Sequence, residues 1–218
     1  MKLTHFGHAC VLAEFDSGER AVRVLLDPGT YSADFEDLTD LDAILLTHEH
    51  PDHLDPDRIT QLAKTNPAAR IIADPGAGDR LREAGLTPEV ARPGENLTIA
   101  TVTVEVLGGE HAVIHPNLPC VTNNAYLLDG RLLHPGDAFT IPPSDKPLDV
   151  LLVPAAGPWM KASEAIDYLR RLAPRVAVPI HQGGLAEVHR DLHHQLLTNL
   201  APDGTRVEVL EPGTAHTY

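Results

Sequence analysis

The segment 48–53, with the sequence His-Glu-His-Pro-Asp-His, constrains this chain more than any other feature. It follows the apolar run 42–46, which has the composition of a buried β-strand and leads into Thr47. Pro51 excludes a regular helix, so the side chains can diverge around a common space. Imidazole nitrogen and carboxylate oxygen are ligand types that suit zinc and related divalent ions. The alternative is a polar, solvated loop that is His-rich by chance, and the segment favours metal ligation over it.

The composition favours a folded, acidic protein. The chain has 218 residues, of which 43% are apolar, and this is enough for a sizeable core. Lys and Arg number 17 against 31 Asp and Glu, which gives a formal net charge of −14. Such a charge repels a phosphate backbone, so nucleic acid is not expected as a partner. The 13 histidines, in a chain with only 4% aromatic residues, direct attention to metal or proton chemistry.

Cysteine content and hydropathy indicate the cellular compartment in which the protein is expected. Cys10 and Cys120 cannot build a disulfide framework and fit a reducing environment. The N-terminus has no long apolar region of the signal-peptide type, and no apolar run approaches the ~18–20 residues that span a bilayer. We therefore expect a cytoplasmic protein with no membrane partner. The sequence leaves open whether the chain forms a homo-oligomer.

Hydrophobic periodicity predicts a single domain made of two similar β-rich halves, roughly 1–96 and 97–218. In the first half, strands are predicted at 11–15, 21–27, 42–46 and 70–73 and helices at 56–64 and 78–84. In the second half, strands are predicted within 97–107, at 149–155, 175–181 and 206–210, with a hairpin at 124–136 and helices at 162–172 and 185–200. Two packed sheets covered by helices satisfy this order. The segment 76–78, Gly-Ala-Gly, lacks the third glycine of a dinucleotide fingerprint and is predicted to be a turn.

The His-rich segment resembles the H-x-H-x-D-H signature of the metallo-β-lactamase superfamily. The match is complete at the signature positions, which are His48, His50, Asp52 and His53. Four further motifs of the family have counterparts here in the expected order: Asp27 in VLLDPG, His111 in LGGEHA, Asp137 in HPGDAF and His181 in AVPIHQG. The resemblance therefore extends over most of the chain.

This resemblance implies an α+β fold, a four-layer αβ/βα sandwich with two metal ions at one edge of the paired sheets. It assigns the first ion to His48, His50 and His111, and the second to Asp52, His53 and His181, with Asp137 bridging both. Zinc is the favoured divalent ion, and manganese, iron and nickel are alternatives. The family's counterpart of Asp27 does not bind metal but holds the ligand loop by hydrogen bonds.

Several other residues are candidates for the rim or surroundings of this site. His8 lies in a Gly-His-Ala sequence that resembles one in small hydrolases related to ascorbate-6-phosphate lactonase, and a surface or core histidine is the alternative. His134 is a candidate for supporting the ligands, and Trp159 for lining the pocket or packing in the core. Asn123 could donate to a substrate oxyanion or shape the hairpin. For His189, His193 and His194, which fall on a predicted helix, a solvated face is the expectation.

The resemblance implies hydrolysis by a metal-bound hydroxide at a binuclear site, with a small-molecule ester, lactone, thioester or phosphodiester as substrate. Asp52 is the candidate catalytic residue, as a proton relay to the leaving group. Asp137 stands where some true β-lactamases of the family carry Cys, which disfavours antibiotic hydrolysis. Diiron redox members usually carry Glu at the position of His50, so hydrolysis is favoured here. A mononuclear iron dioxygenase, another redox member, or a non-catalytic metal-binding protein remain as alternatives.

Overall fold

The computed structural model describes residues 1–18, 20–144 and 146–218, and its strands form two seven-stranded sheets. The first strands along the chain are β1 (Lys2–His5), β2 (Val11–Phe15), β3 (Val22–Leu26), β4 (Ala43–Leu46), β5 (Arg70–Ala73) and β6 (Glu89–Val90). They are followed by β7 (Asn96–Ile99), β8 (Val102–Glu110), β9 (Thr122–Leu128), β10 (Leu132–His134), β11 (Val150–Pro154), β12 (Val176–Ile180), β13 (Arg206–Val207) and β14 (Ala215–Thr217). The sheet orders are β14-β1-β2-β3-β4-β5-β6 and β13-β12-β11-β10-β9-β8-β7.

Each sheet changes from antiparallel to parallel pairing part-way across. In the first sheet, β1, β2 and β3 pair antiparallel, and β3 to β6 pair parallel. In the second sheet, β7 to β10 pair antiparallel, and β10 to β13 pair parallel. The last strand, β14, pairs antiparallel with β1 in the first sheet. Because parallel strands end at one edge, the loops after β3 and β4, and those after β10 to β12, each meet at the edge of their sheet.

The helices cover the outer faces of the sheets. They are α1 (Pro56–Thr65), α2 (Pro75–Glu83), α3 (Ala162–Leu172) and α4 (Glu187–Leu200). Ile59 and Leu62 of α1 and Leu81 of α2 share a buried cluster with Leu25 and Leu46 of the first sheet. Within residues 1–18, 20–144 and 146–218, no helix combines the length and the apolar character needed to cross a membrane.

The second sheet is covered in the same way, and the main core lies between the sheets. Leu169 of α3 and Leu197 of α4 pack in a cluster with Leu151 of β11. A third cluster joins the inner faces, for example Leu45 of β4 with Leu152 of β11. The central strands are buried on both faces, which explains why they are continuous apolar runs. The predicted four-layer sandwich is therefore confirmed.

The predicted turn at 76–78 is wrong, because this segment forms the first turn of α2. Asp74 caps the helix by accepting hydrogen bonds from the backbone N–H groups of Gly76 (3.2 Å) and Ala77 (2.8 Å). Pro75 occupies the start of the helix, where its missing N–H costs nothing. A Cβ at Gly78 would lie 2.9 Å from a methyl group of Val90, so glycine permits the close packing of α2 on β6.

Candidate metal centre

The ends of strands from both sheets bring the predicted ligands together. In the first sheet, Asp27 follows β3 and the segment 48–53 follows β4. In the second sheet, His111, Asp137 and His181 follow β8, β10 and β12. All these loops lie at one edge of the sandwich, so residues far apart in sequence become neighbours.

The ligand candidates form two clusters that meet at one carboxylate. Within each cluster, the candidate ligand atoms lie within 4.8 Å of one another. The first cluster contains His48, His50, His111 and Asp137, and the second contains His8, Asp52, His53 and His181. Oδ2 of Asp137 lies 3.2 Å from Nε2 of His111 in the first cluster and 3.0 Å from Nε2 of His181 in the second. Asp137 is therefore positioned between the clusters, where a carboxylate can contact both.

Hydrogen bonds at Nδ1 fix the tautomers of several of these imidazoles. Nδ1 of His53 donates to Oδ2 of Asp27 (2.7 Å). Nδ1 of His111 donates to the Ala112 carbonyl (2.5 Å), and Nδ1 of His181 donates to the Ala156 carbonyl (2.6 Å). The Thr47 hydroxyl donates to Asp27 (2.7 Å) and therefore accepts from Nδ1 of His48 (3.0 Å). In the neutral rings, Nε2 then carries a lone pair directed away from these anchors.

Three of these lone pairs have no donor directed at them, whereas Nε2 of His48 lies 3.1 Å from Nδ1 of His50. Nε2 of His53, His111 and His181 and Oδ1 of Asp137 are buried and have no hydrogen-bond partner among the described residues. Nε2 of His53 lies 3.1 Å from Oδ1 of Asp137, so the lone pair of the neutral ring faces a carboxylate oxygen. Buried polar atoms are normally satisfied, and a cation is the partner that satisfies several acceptors at once. The donor set therefore fits divalent metal ions.

The electrostatics of the site favour the same conclusion. Burial by itself lowers the pKa of His53, but the carboxylates of Asp137 and Asp27 outweigh it and raise this pKa well above its ordinary value. A positive charge is thus stabilised here, either as a proton on His53 or as a cation at its Nε2. Burial opposes the ionisation of Asp137, yet the surrounding imidazoles hold its pKa well below the usual range. Burial lowers the pKa of His48, which keeps the ring in the neutral, ligating form.

Asp27 holds the loop that carries the signature residues. Its side chain is fully buried and accepts from the backbone N–H of Thr47 (2.8 Å) as well as from the Thr47 hydroxyl and from His53. Its φ of +44° turns the chain sharply after β3. Two residues later, a Cβ at Gly29 would lie 1.9 Å from the carbonyl oxygen of Asp52. The turn after β3 and the signature loop therefore touch backbone to backbone.

His8 has the opposite tautomer from these rings. Its Nδ1 accepts a hydrogen bond from the Gly183 N–H (3.1 Å), so the proton of the neutral ring is on Nε2. That Nε2 lies 3.1 Å from Oδ2 of Asp52, to which it donates. Burial lowers the pKa of His8 to about 4, although Asp52 partly offsets this, so the ring is neutral at neutral pH. His8 is therefore placed to orient Asp52 and not to present a lone pair.

Trp159 contacts the carboxylate of Asp137, much as His8 contacts that of Asp52. Its indole Nε1–H donates to Oδ2 of Asp137 at 2.9 Å. The ring is buried and packs edge-on to Phe139, with the ring centroids 5.3 Å apart. A Cβ at Gly157 would lie 2.7 Å from the indole nitrogen, so glycine is needed for the loop to pass over Trp159. Of the two predicted roles, packing is the one observed for Trp159, and the polar edge of its buried ring contacts Asp137.

A known family and full-length relatives match this chain. The family described as the beta-lactamase superfamily domain matches residues 2–181. The chain belongs to the β-lactamase superfamily. Protein Rv0786c of Mycobacterium tuberculosis is 47% identical to it over the full length of both chains. A UPF0173 metal-dependent hydrolase of Thermofilum pendens is 28% identical and is aligned over 100% of this chain and 99% of its own.

A solved structure agrees at the level of the fold. The metallo-beta-lactamase fold protein YhfI from Bacillus subtilis superposes with a TM-score of 0.70, at 20% identity, over 99% of this chain and 98% of its own. The UPF0173 protein PYRAB01190 of Pyrococcus abyssi is 33% identical over 84% of each chain, so this β-lactamase superfamily member lies in the UPF0173 branch. Several relatives in that branch are named metal-dependent hydrolases, and this chain has two candidate His and Asp metal sites among its described residues.

Asn123 and His134 are built into the scaffold of this superfamily member and do not line the open site. Asn123 donates to the Pro135 carbonyl (2.9 Å), and its Oδ1 accepts from the backbone N–H of Asp137 (3.0 Å). His134 accepts from the Gly136 N–H at Nδ1 and donates from Nε2 to the Ala9 carbonyl, both at 3.1 Å. Of the two roles considered for Asn123, the structure favours the shaping of the loop, because both ends of its amide are occupied.

A cavity of about 400 Å³ opens beside Asp52 and His181, and its lining includes one of the three histidines expected on a solvated helix face. His193 of α4 lines this cavity and donates from Nδ1 to the Ala155 carbonyl (2.6 Å). The expectation of a solvated face is therefore wrong for His193, whereas His189 is exposed as expected. The signal was available in the sequence, since His193 precedes the buried Leu197 by one helical turn.

Proposed function

We propose that this superfamily member is a metal-dependent hydrolase with two divalent ions, preferably zinc, acting on a small molecule that contains an ester, lactone, thioester or phosphodiester bond. The observation that carries the proposal is the convergence of unpartnered acceptor atoms, Nε2 of His53, His111 and His181 with Oδ1 of Asp137, at a buried position. Relatives named metal-dependent hydrolases agree with it.

In this proposal each cluster holds one ion. His48, His50 and His111 hold the first, and Asp52, His53 and His181 hold the second. Asp137 would be shared by both ions, since its carboxylate lies between the clusters and its Oδ2 faces Nε2 of His111 and of His181 at 3.2 and 3.0 Å. His8 is excluded from the ligand set because the Gly183 N–H fixes its proton on Nε2.

The chain's own residues orient the reactants. Bound divalent ions would supply Lewis acidity and make a water molecule acidic enough to act as a nucleophile near neutral pH. Asp52 lines the cavity, and its side chain remains 23% exposed, so a carboxylate oxygen can take up a proton there and pass it to the leaving group. His8 holds Asp52 in place by its hydrogen bond. The buried surroundings of Asp137 exclude bulk water from the other side of the site.

The first test is metal stoichiometry. The chain is stripped with a chelator and titrated with zinc, and elemental analysis should approach two equivalents per chain. Saturation at one equivalent would overturn the two-ion assignment. The His181→Asn variant should lose about one equivalent, whereas His189→Asn, on the exposed face of α4, should keep both.

The second test separates hydrolysis from redox chemistry. Zinc-loaded and iron-loaded protein are assayed without oxygen against esters, lactones and phosphodiesters, and then with oxygen and glutathione persulfide. Cleavage by the zinc form without oxygen is the expected result. Activity confined to the iron form, together with oxygen uptake, would overturn the hydrolase proposal.

A further inference from the structure

The cavity beside Asp52 is lined by two chemically different sets of side chains. The polar set includes Asp52 and His181 of the candidate metal centre, together with His8. The apolar set includes Pro158, Met160 and Leu185. A cavity of about 400 Å³ has room for a small organic molecule, so a bound molecule would meet both the metal centre and apolar side chains.

No lysine or arginine lines this cavity in the part of the chain that the structure describes. Proteins recognise phosphate and carboxylate groups mainly with Arg, Lys or clustered backbone N–H groups. Arg190 lines a neighbouring cavity, where Asp191 and Glu211 are also present. Asp52 adds a negative charge to the walls. An anionic group away from the scissile bond would therefore lack a cationic side chain to pair with in this cavity.

His193 supplies one directional polar contact to the cavity. Because its Nδ1–H donates to the Ala155 carbonyl at 2.6 Å, Nε2 of the neutral ring carries a lone pair. This nitrogen can accept a hydrogen bond from a ligand N–H or O–H. The backbone anchor fixes the ring, so the acceptor is preorganised and costs little entropy on binding.

We propose, building on the proposed function, that the substrate is an uncharged acyl compound, an ester or lactone, with a short apolar part and an N–H or O–H donor. The apolar part packs against Met160, Pro158 and Leu185, and the donor binds Nε2 of His193. In the reaction, the oxygen of water bonds to the acyl carbon and the bond from that carbon to the ester oxygen breaks. One proton of the water goes to the departing alkoxide, and the other is released as the acid ionises.

The charge preference is tested with matched esters on the zinc-reconstituted chain. p-Nitrophenyl butyrate and mono-p-nitrophenyl succinate share their leaving group and differ by a terminal methyl or carboxylate. We expect kcat/KM to favour the butyrate by about tenfold or more, since the carboxylate would be desolvated without a cationic partner. Leu185→Arg should narrow or reverse this ratio. A preference of the unmodified chain for the succinate, or cleavage of bis(p-nitrophenyl) phosphate alone, would overturn the substrate class.

The role of His193 is tested with γ-butyrolactone and its α-hydroxy derivative. The kcat/KM of the hydroxylated lactone should be roughly three- to tenfold higher, a ratio that corresponds to the net free energy of about one hydrogen bond. His193→Asn retains an amide N–H for the Ala155 carbonyl, but its shorter side chain places no acceptor at the position of the imidazole Nε2. The preference should therefore disappear through KM, with kcat little changed. His189→Asn is the matched control and should keep the preference. An unchanged preference in His193→Asn, with the fold intact by circular dichroism, would contradict the role of His193.

The proposed function and the substrate class can be overturned separately. Hydrolysis of none of these compounds in a chain that holds two zinc ions would overturn the proposed function and the substrate class with it. Metal-dependent hydrolysis with the opposite charge preference would overturn the substrate class alone.

Discussion

The indole Nε1–H of Trp159 donates to Oδ2 of Asp137 at 2.9 Å, and the same oxygen faces His111 and His181 of the two ligand clusters. Trp159 is the single tryptophan of the chain. Its indole therefore lies in direct contact with the carboxylate that would bridge two ions. This relationship connects a spectroscopic probe to the metal centre without any engineering.

Metal binding should change the fluorescence of Trp159. Addition of zinc to metal-free protein alters the charge beside the indole, so selective excitation of tryptophan should give a titration curve with a stoichiometric end point. An emission spectrum that is unchanged while elemental analysis shows zinc bound would contradict the contact. Trp159→Phe should weaken metal affinity about 10–100-fold, the usual effect of losing a hydrogen bond to a metal ligand.

Asp137→Asn should reduce metal content and hydrolysis together. The change removes the negative charge that lies between the clusters, so the second ion should bind much more weakly while the fold persists. Isothermal titration with zinc is the measurement, with the thermal unfolding of the metal-free variant as the check on folding. Equal zinc affinity in the variant would show that Asp137 does not bridge.

Asp55→Asn is the acidic control for that experiment. Asp55 caps α1 by accepting from the Arg58 backbone N–H (3.1 Å) and pairs with the Arg58 side chain (2.7 Å). Asparagine caps a helix as well as aspartate does, so the variant should lose only the ion pair with Arg58, up to ~1 kcal/mol of the free energy of unfolding. It should nevertheless bind zinc like the unmodified chain.

His8→Gln and His8→Leu should differ in their affinity for the second ion. Gln can place an N–H near the position of the imidazole Nε2 and keep a donor to Asp52, whereas Leu fills the space without one. We expect a loss of about 10–100-fold in zinc affinity for Leu, and a much smaller loss for Gln. If His8 were itself a ligand, both variants would lose the second ion to the same degree, and the stoichiometry would show it.

Gly29→Ala should destabilise the fold because no space exists for a methyl group. The added Cβ would meet the backbone of Asp52 at 1.9 Å, and backbone cannot move aside as a flexible side chain can. We expect a loss of roughly 3 kcal/mol or more in the free energy of unfolding, measured with urea. Gly184→Ala, which would meet no atom within 4 Å, is the matched control and should change stability little. Similar values for both variants would disprove the close approach.

The sequence by itself determined the fold family and the residues that gather at the site. The segment 48–53 is contiguous, and Asp27, His111, Asp137 and His181 each follow a strand. The family motifs identify these residues, and hydrophobic periodicity places them near strand ends, although the strand before His111 extends to Glu110 and not only to residue 107 as predicted. Helix α3 was predicted with its observed bounds, 162–172, because its apolar face repeats with helical spacing. The start of α2 was missed, since two glycines in its first turn hid the Asp-Pro signal for a helix start.

Only the tertiary structure decided what the individual side chains do. The tautomer of His8 depends on the Gly183 N–H, which lies 175 residues away in the sequence, and so does its role as a donor to Asp52. The position of His193 in the cavity wall and the bond from Trp159 to Asp137 likewise need partners from other elements. A residue type specifies what a side chain can donate or accept. The packing of distant segments specifies which of these hydrogen bonds forms, and therefore which nitrogen keeps the lone pair that a metal ion or a substrate can use.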